Sequence, residues 1–299
     1  PQKQLTVLTT TFPLYQFTQN ITRDVTGVTV ELMIPAQTGC PHDYFLTPGD
    51  MRKLERADVL IMNGLGMEDF LHGAIKKAGA GLKVIDSSAG IKGLIAYEDA
   101  KPHDSGEREQ PSQNKEQRYT GHDHSSTFNP HLFASPHMAA LLVHNIGQAM
   151  AGLDPSNAGR YAVNAKQYSR QLNELGQAFV ALGKRLKNNR IVTQHGVFDY
   201  LARDMGLRVV AVVQAHAGRQ PSAAEILRIT QEIKKRHAGV VFTEPQYPEA
   251  VGTAIAREAG IPVARLDPVA SGPQQAPLDY YEQVMHQNYL TLEQTLGSN

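Results

Sequence analysis

A long helical pattern in the middle of the chain constrains the fold more than any other feature. It runs from residue 154 to residue 186 without an internal proline after its start. Its apolar side chains recur at spacings of three and four residues, which is the period of an amphipathic helix. At 1.5 Å per residue, about 30 residues of helix span roughly 45 Å, more than the width of one small domain. We therefore predict that residues 154–188 form a rigid helix joining two domains.

Short apolar segments alternate with helical segments on both sides of this long helix. Such alternation is typical of a parallel sheet with helices on both faces. We predict an α/β fold of two lobes, each with a mostly parallel sheet flanked by helices, joined by the long helix. The N-terminal lobe comprises residues 1–153 and the C-terminal lobe residues 189–299. The predicted strands are residues 5–10, 28–34, 59–62 and 83–85 in the first lobe, and 191–193, 207–213, 240–242 and 263–266 in the second.

Helical segments follow most of these strands. Two helix starts carry a capping box, in which the N-cap side chain and an acidic side chain three residues later bond each other's backbone N–H groups. The two capping boxes are Thr47-Pro48-Gly49-Asp50 and Ser222-Ala223-Ala224-Glu225. The other predicted helices cover residues 12–25, 67–78, 135–150, 197–204, 248–259 and 278–296.

The alternation is interrupted by a polar segment over residues 98–127. It has almost no apolar side chains to offset the entropy of ordering, so we predict a mobile loop within the N-terminal lobe. The segment contains His103, His122 and His124, and such a tract can hold metal ions loosely. For any single one of these histidines, a solvated insertion is an equally good interpretation.

Charge and composition exclude several classes of function. The chain has 29 basic and 29 acidic residues among 299, and a formal charge of zero disfavours nucleic acid or an anionic membrane as its main partner. No apolar run approaches the roughly 20 residues of a membrane helix. The N-terminus has no basic start followed by an apolar core, so we expect that any secretion signal has been removed or never existed. The single cysteine, Cys40, excludes an internal disulfide.

Three histidines and one aspartate stand out by their position in the chain. His42, His131 and His195 lie in loops that contain proline or glycine, where a strand ends or a helix begins. Asp267 follows a late strand. In an open α/β sheet, ligands bind outside the carboxyl ends of the strands. A single loop histidine is more often hydrogen-bonded within its loop than bound to a ligand, but three in equivalent positions, together with Asp267, favour one shared metal ion.

The chemistry of this set suits a transition metal. Neutral imidazoles and one carboxylate form the tetrahedral sphere that Zn²⁺ favours, whereas Mn²⁺ prefers more oxygen donors and binds such a site more weakly. Asp43 and Glu244 are alternative oxygen donors, although Glu244 equally well fits a cap for the helix that follows it. The contiguous zinc signatures are absent from the sequence, since it has no His-Glu-x-x-His and no Cys-x-x-Cys.

Several short motifs in a fixed order resemble one known family over nearly the whole chain. They are Pro41-His42-Asp43-Tyr44 with Thr47-Pro48-Gly49-Asp50, Ala57-Asp58-Val59-Leu60 with Asn63-Gly64, Asn129-Pro130-His131 with Ser135-Pro136, Asp154-Pro155 with Asn157-Ala158 and Tyr161, His195 with Phe198-Asp199-Tyr200, Pro221-Ser222-Ala223, and Phe242-Thr243-Glu244-Pro245-Gln246. Each motif alone is weak, but their order and spacing are specific. The chain resembles the metal-specific substrate-binding proteins of ABC transporters, the zinc/manganese group also called cluster A-I.

This resemblance implies two α/β lobes joined by one long helix, with a metal ion held between them. The ligand positions of the family correspond here to His42, His131, His195 and Asp267. Zinc members resemble this chain in having histidine at the third position, where manganese members often have glutamate, and a histidine-rich loop before the second. The resemblance thus implies a zinc-type member. Some zinc members carry a disulfide in the C-terminal lobe, which this chain cannot form.

The function that the resemblance implies is high-affinity capture of Zn²⁺ in the periplasm and its delivery to an ABC-type membrane permease. We expect a monomer that is not an enzyme and does not bind nucleic acid. The absence of a lipid-attachment cysteine at the start favours a soluble periplasmic protein over a lipoprotein. Because His42 and His131 belong to one lobe and His195 and Asp267 to the other, zinc would tie the lobes together, and the stiff helix would keep their movement small.

Three other functions remain open at this stage. Mn²⁺ or Fe²⁺ could bind on the same scaffold. A zinc-dependent hydrolase would need an open coordination position for water and a nearby base, for which Asp43 or Glu244 would serve. An adhesin could use the fold for surface contact, about which the sequence says nothing direct.

Overall fold

The computed structural model describes residues 4–39, 41, 44–78, 81–96, 127–214 and 221–297. They form two four-stranded sheets, and every strand pair within each sheet is parallel. The first sheet consists of β1 Leu5–Thr9, β2 Val28–Leu32, β3 Val59–Met62 and β4 Lys83–Asp86, in the order β2-β1-β3-β4. The second consists of β5 Arg190–Thr193, β6 Arg208–Val212, β7 Val240–Thr243 and β8 Val263–Arg265, in the order β6-β5-β7-β8. The predicted α/β fold is confirmed.

Helices alternate with the strands in both halves of the chain. They are α1 Phe12–Ile21, α2 Pro48–Arg56, α3 His72–Ala78, α4 Pro136–Leu153, α5 Ala158–Gly183, α6 Asp199–Met205, α7 Ala223–Arg236, α8 Ala250–Ala259 and α9 Tyr280–Leu296. Short 3-10 turns lead into α3, α4, α5 and α6. Both predicted capping boxes are present, Thr47 with Asp50 at the start of α2 and Ser222 with Glu225 at the start of α7.

The parallel arrangement brings the ends of several strands to one edge of the second sheet. His195 comes two residues after β5, Glu244 directly after β7, and Asp267 two residues after β8. The register pairs Thr193 of β5 with Phe242 of β7, so that His195 and Glu244 follow at matching distances beyond this pair. The fold therefore places an imidazole and a carboxylate side by side at the edge where α/β sheets bind ligands.

The long helix α5 spans 26 residues, Ala158–Gly183, so it begins four residues after and ends five residues before the bounds predicted for the linking helix. At 1.5 Å per residue it extends about 39 Å. Its end coincides with a close approach of α6, because a Cβ added at Gly183 would lie 2.0 Å from the carbonyl oxygen of Met205. Glycine permits this contact between the two backbones, and the chain leaves the helix there.

The helix α5 packs into a continuous apolar core instead of standing alone between two domains. Its buried aromatic side chains Tyr168 and Phe179 belong to one cluster that also contains Val7 of β1 and Val240 of β7. The helix thus contacts a core that includes residues of both sheets. The division of the chain into two lobes and a linking helix at the stated boundaries stays a prediction.

The C-terminal helix α9 connects the two halves a second time. Tyr281 is fully buried, and its hydroxyl donates a hydrogen bond to the carbonyl oxygen of Phe133 (2.7 Å). Its ring lies edge-on to Phe17 of α1, with 5.2 Å between ring centroids. Just before α9, the carbonyl oxygen of Leu278 accepts a hydrogen bond from Asn20 Nδ2 (2.8 Å). Both α5 and α9 therefore hold the first half of the chain against the second.

Several other helix and strand ends differ from the predictions by a few residues. The helix α1 ends at Ile21 rather than at residue 25, because the chain enters a turn in which Asp24 and Gly27 have φ angles of 59° and 78°. The strand β2 ends at Leu32 rather than at residue 34. Such ends depend on turns and tertiary contacts, which the spacing of apolar residues does not reveal.

Gly183→Ala is expected to destabilise the fold. The added methyl group would overlap the Met205 carbonyl, and overpacking of this kind costs about 1–3 kcal/mol. Gly152→Ala in α4 is the matched control, because nothing lies within 4 Å of a Cβ there. Denaturant unfolding should give a lower free energy of unfolding for Gly183→Ala and an equal or higher one for Gly152→Ala. An unchanged free energy of unfolding for Gly183→Ala would contradict this, because it would show that α6 moves away from the added methyl group without loss of stability.

Candidate metal centre

His131 is buried and its ring is held from one side by Asn129. The side-chain oxygen of Asn129 accepts a hydrogen bond from the backbone N–H of His131 (3.0 Å). The same oxygen lies 2.7 Å from Nδ1 of the His131 ring. The backbone donor identifies this atom as the amide oxygen, which can only accept. Nδ1 therefore carries the ring proton, and in the neutral ring Nε2 carries the lone pair.

His195 is held in the same way by a buried carboxylate. Oε1 of Glu244 accepts a hydrogen bond from the backbone N–H of His195 (3.3 Å) and pairs with its Nδ1 (2.8 Å). Glu244 is fully buried, and His195 is only 5% exposed. Within the described structure, Nε2 of His195 and Oε2 of Glu244 are buried without a hydrogen-bond partner. A buried lone pair in this position is suited to coordinating a metal cation, which accepts an electron pair.

The two imidazoles lie next to each other, although they come from different halves of the chain. The ring centroids of His131 and His195 are 5.2 Å apart, and the rings are nearly perpendicular at 82°. Aromatic rings border the pair, with Tyr247 5.3 Å from His195 and Phe133 6.0 Å from His131. The structure thus brings together two of the four predicted ligands in a largely dry environment.

Asp267 lies two residues after β8 and is half-buried. Its Oδ1 accepts hydrogen bonds from Gln246 Nε2 (3.2 Å) and from the backbone N–H of Val269 (2.8 Å). Its own backbone is held by Asn288, which bonds both its N–H (2.9 Å) and its carbonyl oxygen (2.6 Å). Among the residues that the structure describes, no three histidine, cysteine, aspartate or glutamate side chains are grouped closely enough to hold a metal. Asp267 is therefore not joined with the histidine pair in such a group.

The first predicted ligand, His42, lies outside the described residues, as do Asp43, Cys40 and the loop histidines His103, His122 and His124. The chain leading to His42 is described up to Gly39. Gly39 has a φ angle of +79°, and a Cβ added to it would lie 2.9 Å from Cγ of Gln246. The same Gln246 bonds Asp267. Nearby, the backbone N–H of Gly272 donates to the carbonyl oxygen of Ala36 (2.9 Å).

Burial raises the pKa of two carboxyl groups close to these side chains. The pKa of Asp267 is raised by burial, although Val269 and Gln246 donate to it and lower it. Burial also raises the pKa of Asp199 to about 6, against the opposing effects of a hydrogen bond from Asn129 and the charge of His195. Both carboxylates therefore bear a desolvation cost that a nearby cation would reduce.

The role of Glu244 differs from the cap that the sequence left open. Helix α8 begins at Ala250 and has Glu249 at its N-cap position, so Glu244 caps no helix. It supports His195 instead. No signal in the sequence identifies this role, because it depends on the pairing of β5 with β7, whose register carries Glu244 alongside His195.

A second buried carboxylate, Glu68, holds the chain next to His131. Its Oε1 accepts hydrogen bonds from the Thr10 hydroxyl (2.6 Å) and from the backbone N–H of Asn63 (2.7 Å). Asn63 Nδ2 in turn donates to the carbonyl oxygen of Pro130 (2.9 Å), the residue before His131. Sequence reasoning missed this network, since its members are linked only by the fold.

Glu68 is expected to make stability depend on pH. Burial raises its pKa from 4.5 to about 7, although hydrogen bonds from Thr10 and Asn63 lower it. The folded state then holds the proton more tightly than the unfolded chain, so the free energy of unfolding falls as pH rises from about 4.5 to about 7. At about 1.4 kcal/mol per pKa unit, the loss amounts to about 3 kcal/mol. Glu68→Gln removes this titration and should flatten the dependence.

Denaturant unfolding of both proteins across this pH range checks that expectation. The other buried carboxyls titrate in both proteins, so the difference between the two pH profiles reports on Glu68 alone. Parallel profiles would show that Glu68 has the same pKa in the folded and unfolded states.

Comparisons with known proteins identify the family. The family profile described as "ZnuA: Zinc-uptake complex component A periplasmic" matches residues 7–295. The high-affinity zinc uptake system protein ZnuA of Bacillus subtilis is 30% identical over 297 residues, covering 98% of this chain and 88% of that protein. The zinc-binding lipoprotein AdcA of Streptococcus pneumoniae is 29% identical over 298 residues, but the chain spans only 56% of its length. The solved structure of the SBP FpvC from Pseudomonas aeruginosa in complex with Mn²⁺ has a TM-score of 0.79 at 28% identity, covering 98% of each chain.

Fold and family profile agree on the class of protein that this chain resembles, the binding components of metal-uptake systems. The chain belongs to the family of periplasmic zinc-uptake complex component A. The resemblance indicated by the motifs is thereby confirmed, and the family is one of transport proteins rather than enzymes. In the part of the chain that the structure describes, no helix has the length and apolar character needed to cross a membrane.

Proposed function

We propose that this protein captures Zn²⁺ in the periplasm and passes it, as a monomer, to an ABC-type membrane permease. Zinc is bound between the two sheets by His42, His131, His195 and Asp267. The observation that carries this proposal is the buried Nε2 atom of His195. It has no hydrogen-bond partner in the described structure, while Glu244 holds the other ring nitrogen.

An unpaired nitrogen in a buried site is costly unless a ligand binds it. A buried polar group without a partner costs about 1–3 kcal/mol. A divalent cation accepts the lone pair of a neutral imidazole, and the ring of His131 lies 5.2 Å away with its Nδ1 also engaged. Zinc-binding histidines usually have their other ring nitrogen bonded to a carboxylate or a carbonyl oxygen, as Glu244 and Asn129 do here. Both rings thus present Nε2 to the same ion.

Asp267 supplies the negative charge of the site and His42 the fourth donor. Burial raises the pKa of Asp267, so a cation beside it offsets the cost of keeping its carboxylate ionised. Gln246 bonds Asp267 and lies so close to Gly39, three residues before His42, that a Cβ added there would be 2.9 Å from its Cγ, which supports a common site for both ligands. Three imidazoles and one carboxylate complete a tetrahedral sphere.

A closed coordination sphere favours transport over hydrolysis. A catalytic zinc keeps an open position for water and has a base beside it. Glu244, one of the two candidate bases, bonds both the backbone and the ring of His195, which is the role of a residue that supports a ligand. Membership of a transport family points the same way.

Manganese is the second candidate cargo, because FpvC was solved with Mn²⁺ on the same fold. A site rich in imidazole binds Zn²⁺ more tightly than Mn²⁺. The metal-free protein should therefore retain zinc when it is equilibrated with equal concentrations of both ions, desalted and analysed by mass spectrometry for bound metal. Preferential retention of manganese would contradict the assignment of zinc.

The histidines of the polar segment have a separate, accessory role in this proposal. His103, His122 and His124 gather zinc loosely and pass it to the tighter site. Their segment lies almost wholly outside the described residues, so its role rests on composition alone.

A further inference from the structure

We propose that Asn129 is a positioning residue that holds His131 in its metal-binding tautomer and also ties it to the His195 loop, so that the two imidazoles stay paired when no metal is bound. This inference rests on the proposed zinc-binding function and adds a residue to it. Asn129 does not bind the metal. Its side-chain amide makes four hydrogen-bonding contacts, two with His131 and two with the second half of the chain.

The oxygen of the Asn129 side chain faces His131. It accepts from the His131 backbone N–H (3.0 Å) and pairs with Nδ1 (2.7 Å). An isolated neutral imidazole can carry its proton on either nitrogen, and only the form with Nδ1–H leaves Nε2 able to bind a cation. Asn129 therefore selects the productive tautomer before any metal arrives.

The nitrogen of the same side chain faces the second half. Asn129 Nδ2 donates to the carbonyl oxygen of Gly196 (2.8 Å) and to Oδ2 of Asp199 at the start of α6 (2.9 Å). Gly196 directly follows His195 in the chain. One amide group thus connects His131 with Gly196, the residue that follows His195.

The backbone of Asn129 is held by α6, the helix that begins at Asp199. The hydroxyl of Tyr200 in α6 donates to the carbonyl oxygen of Asn129 (2.7 Å) and accepts from the backbone N–H of Ile95 (3.1 Å). Asn129 itself is only 1% exposed, so water does not compete for these bonds. None of these contacts involves a metal, and in this proposal they hold His131 beside His195 before metal capture. Such preorganisation reduces the entropy cost of assembling the site.

Two substitutions separate the two functions of the amide. Asn129→Ala removes both the acceptor for His131 and the donors to the second half. Asn129→Asp keeps the acceptor, but it loses the donors and places a second carboxylate against Asp199. Asn145→Ala is the matched control, because Asn145 Nδ2 also makes two hydrogen bonds, to the carbonyl oxygens of Ser87 (2.9 Å) and Ala89 (3.0 Å), away from the site.

The measurements are zinc affinity, by competition with a chelating dye, and the His131 tautomer in the metal-free protein, by long-range ¹⁵N–¹H NMR. We expect both Asn129 variants to bind zinc about 10- to 100-fold more weakly than wild type, and the Asn145 control to stay within about twofold. His131 should be the Nδ1–H tautomer in wild type and Asn129→Asp, and a mixture in Asn129→Ala.

Three results would overturn the inference. One is zinc affinity in Asn129→Ala equal to that of the Asn145 control, and another is an unchanged His131 tautomer in Asn129→Ala. The third is wild-type affinity in Asn129→Asp, which would show that the bonds to Gly196 and Asp199 contribute nothing. If wild type itself bound no zinc, the proposed function would fail, whereas the tautomer measurement on the metal-free protein would still test Asn129.

Discussion

His195→Ala is expected to weaken zinc binding by more than about 100-fold, beyond the range typical for residues that only support a ligand. The substitution removes one of four donors and leaves the buried Glu244 carboxylate facing an empty space. The change in affinity should appear in competition titrations against a chelator of known affinity. His131→Ala should have a similar effect, because its ring lies 5.2 Å from that of His195.

His286→Ala is the control for these substitutions. His286 is an exposed residue of α9, and its ring stacks on Tyr289 rather than facing the site. Its replacement should leave zinc affinity unchanged. If His195→Ala and His286→Ala retained zinc equally well, His195 would not be a ligand and the assigned site would be wrong.

Glu244→Gln is expected to weaken zinc binding by about 10- to 100-fold while leaving all four ligands in place. The carboxylate raises the basicity of His195 through Nδ1 and supplies negative charge close to a divalent cation. Glutamine is nearly isosteric but neutral, and its amide would occupy the buried position of Oε2, which has no partner in the described structure. Competition titration gives the affinity, and thermal unfolding of the metal-free protein gives the effect on stability.

Glu249→Gln provides the matched comparison on the same segment. Glu249 is about half exposed and pairs with Arg265 on the surface, where an ion pair contributes about 0–1 kcal/mol. It should bind zinc like wild type. A Glu244→Gln protein that kept wild-type affinity would restrict Glu244 to a role in packing.

The architecture was predictable because its causes are local. Apolar residues alternate or recur with the period of the element they form, so the parallel sheets and the long helix α5 follow from the sequence. Residues just beyond strand ends are expected at the ligand-binding edge of a parallel sheet, and this places His195 and Asp267 correctly after β5 and β8.

The parts that could not be predicted depend on contacts between distant segments. Glu244 supports His195 because β7 lies beside β5, and Asn129 reaches Gly196 because α6 packs against the first half. The end of α5 depends on its close approach to Met205. Periodicity and capping signals describe a residue's near neighbours in sequence, so they carry no information about such partners.

The most direct measurement of the proposed site is a crystal structure of the zinc-loaded protein with anomalous diffraction at the zinc edge. The expected result is one strong peak about 2.0–2.2 Å from Nε2 of His131, Nε2 of His195, a carboxylate oxygen of Asp267 and an imidazole nitrogen of His42, with no water in the sphere. A peak that lacks the nitrogens of His131 and His195, or that lies only among the histidines of residues 98–127, would contradict it.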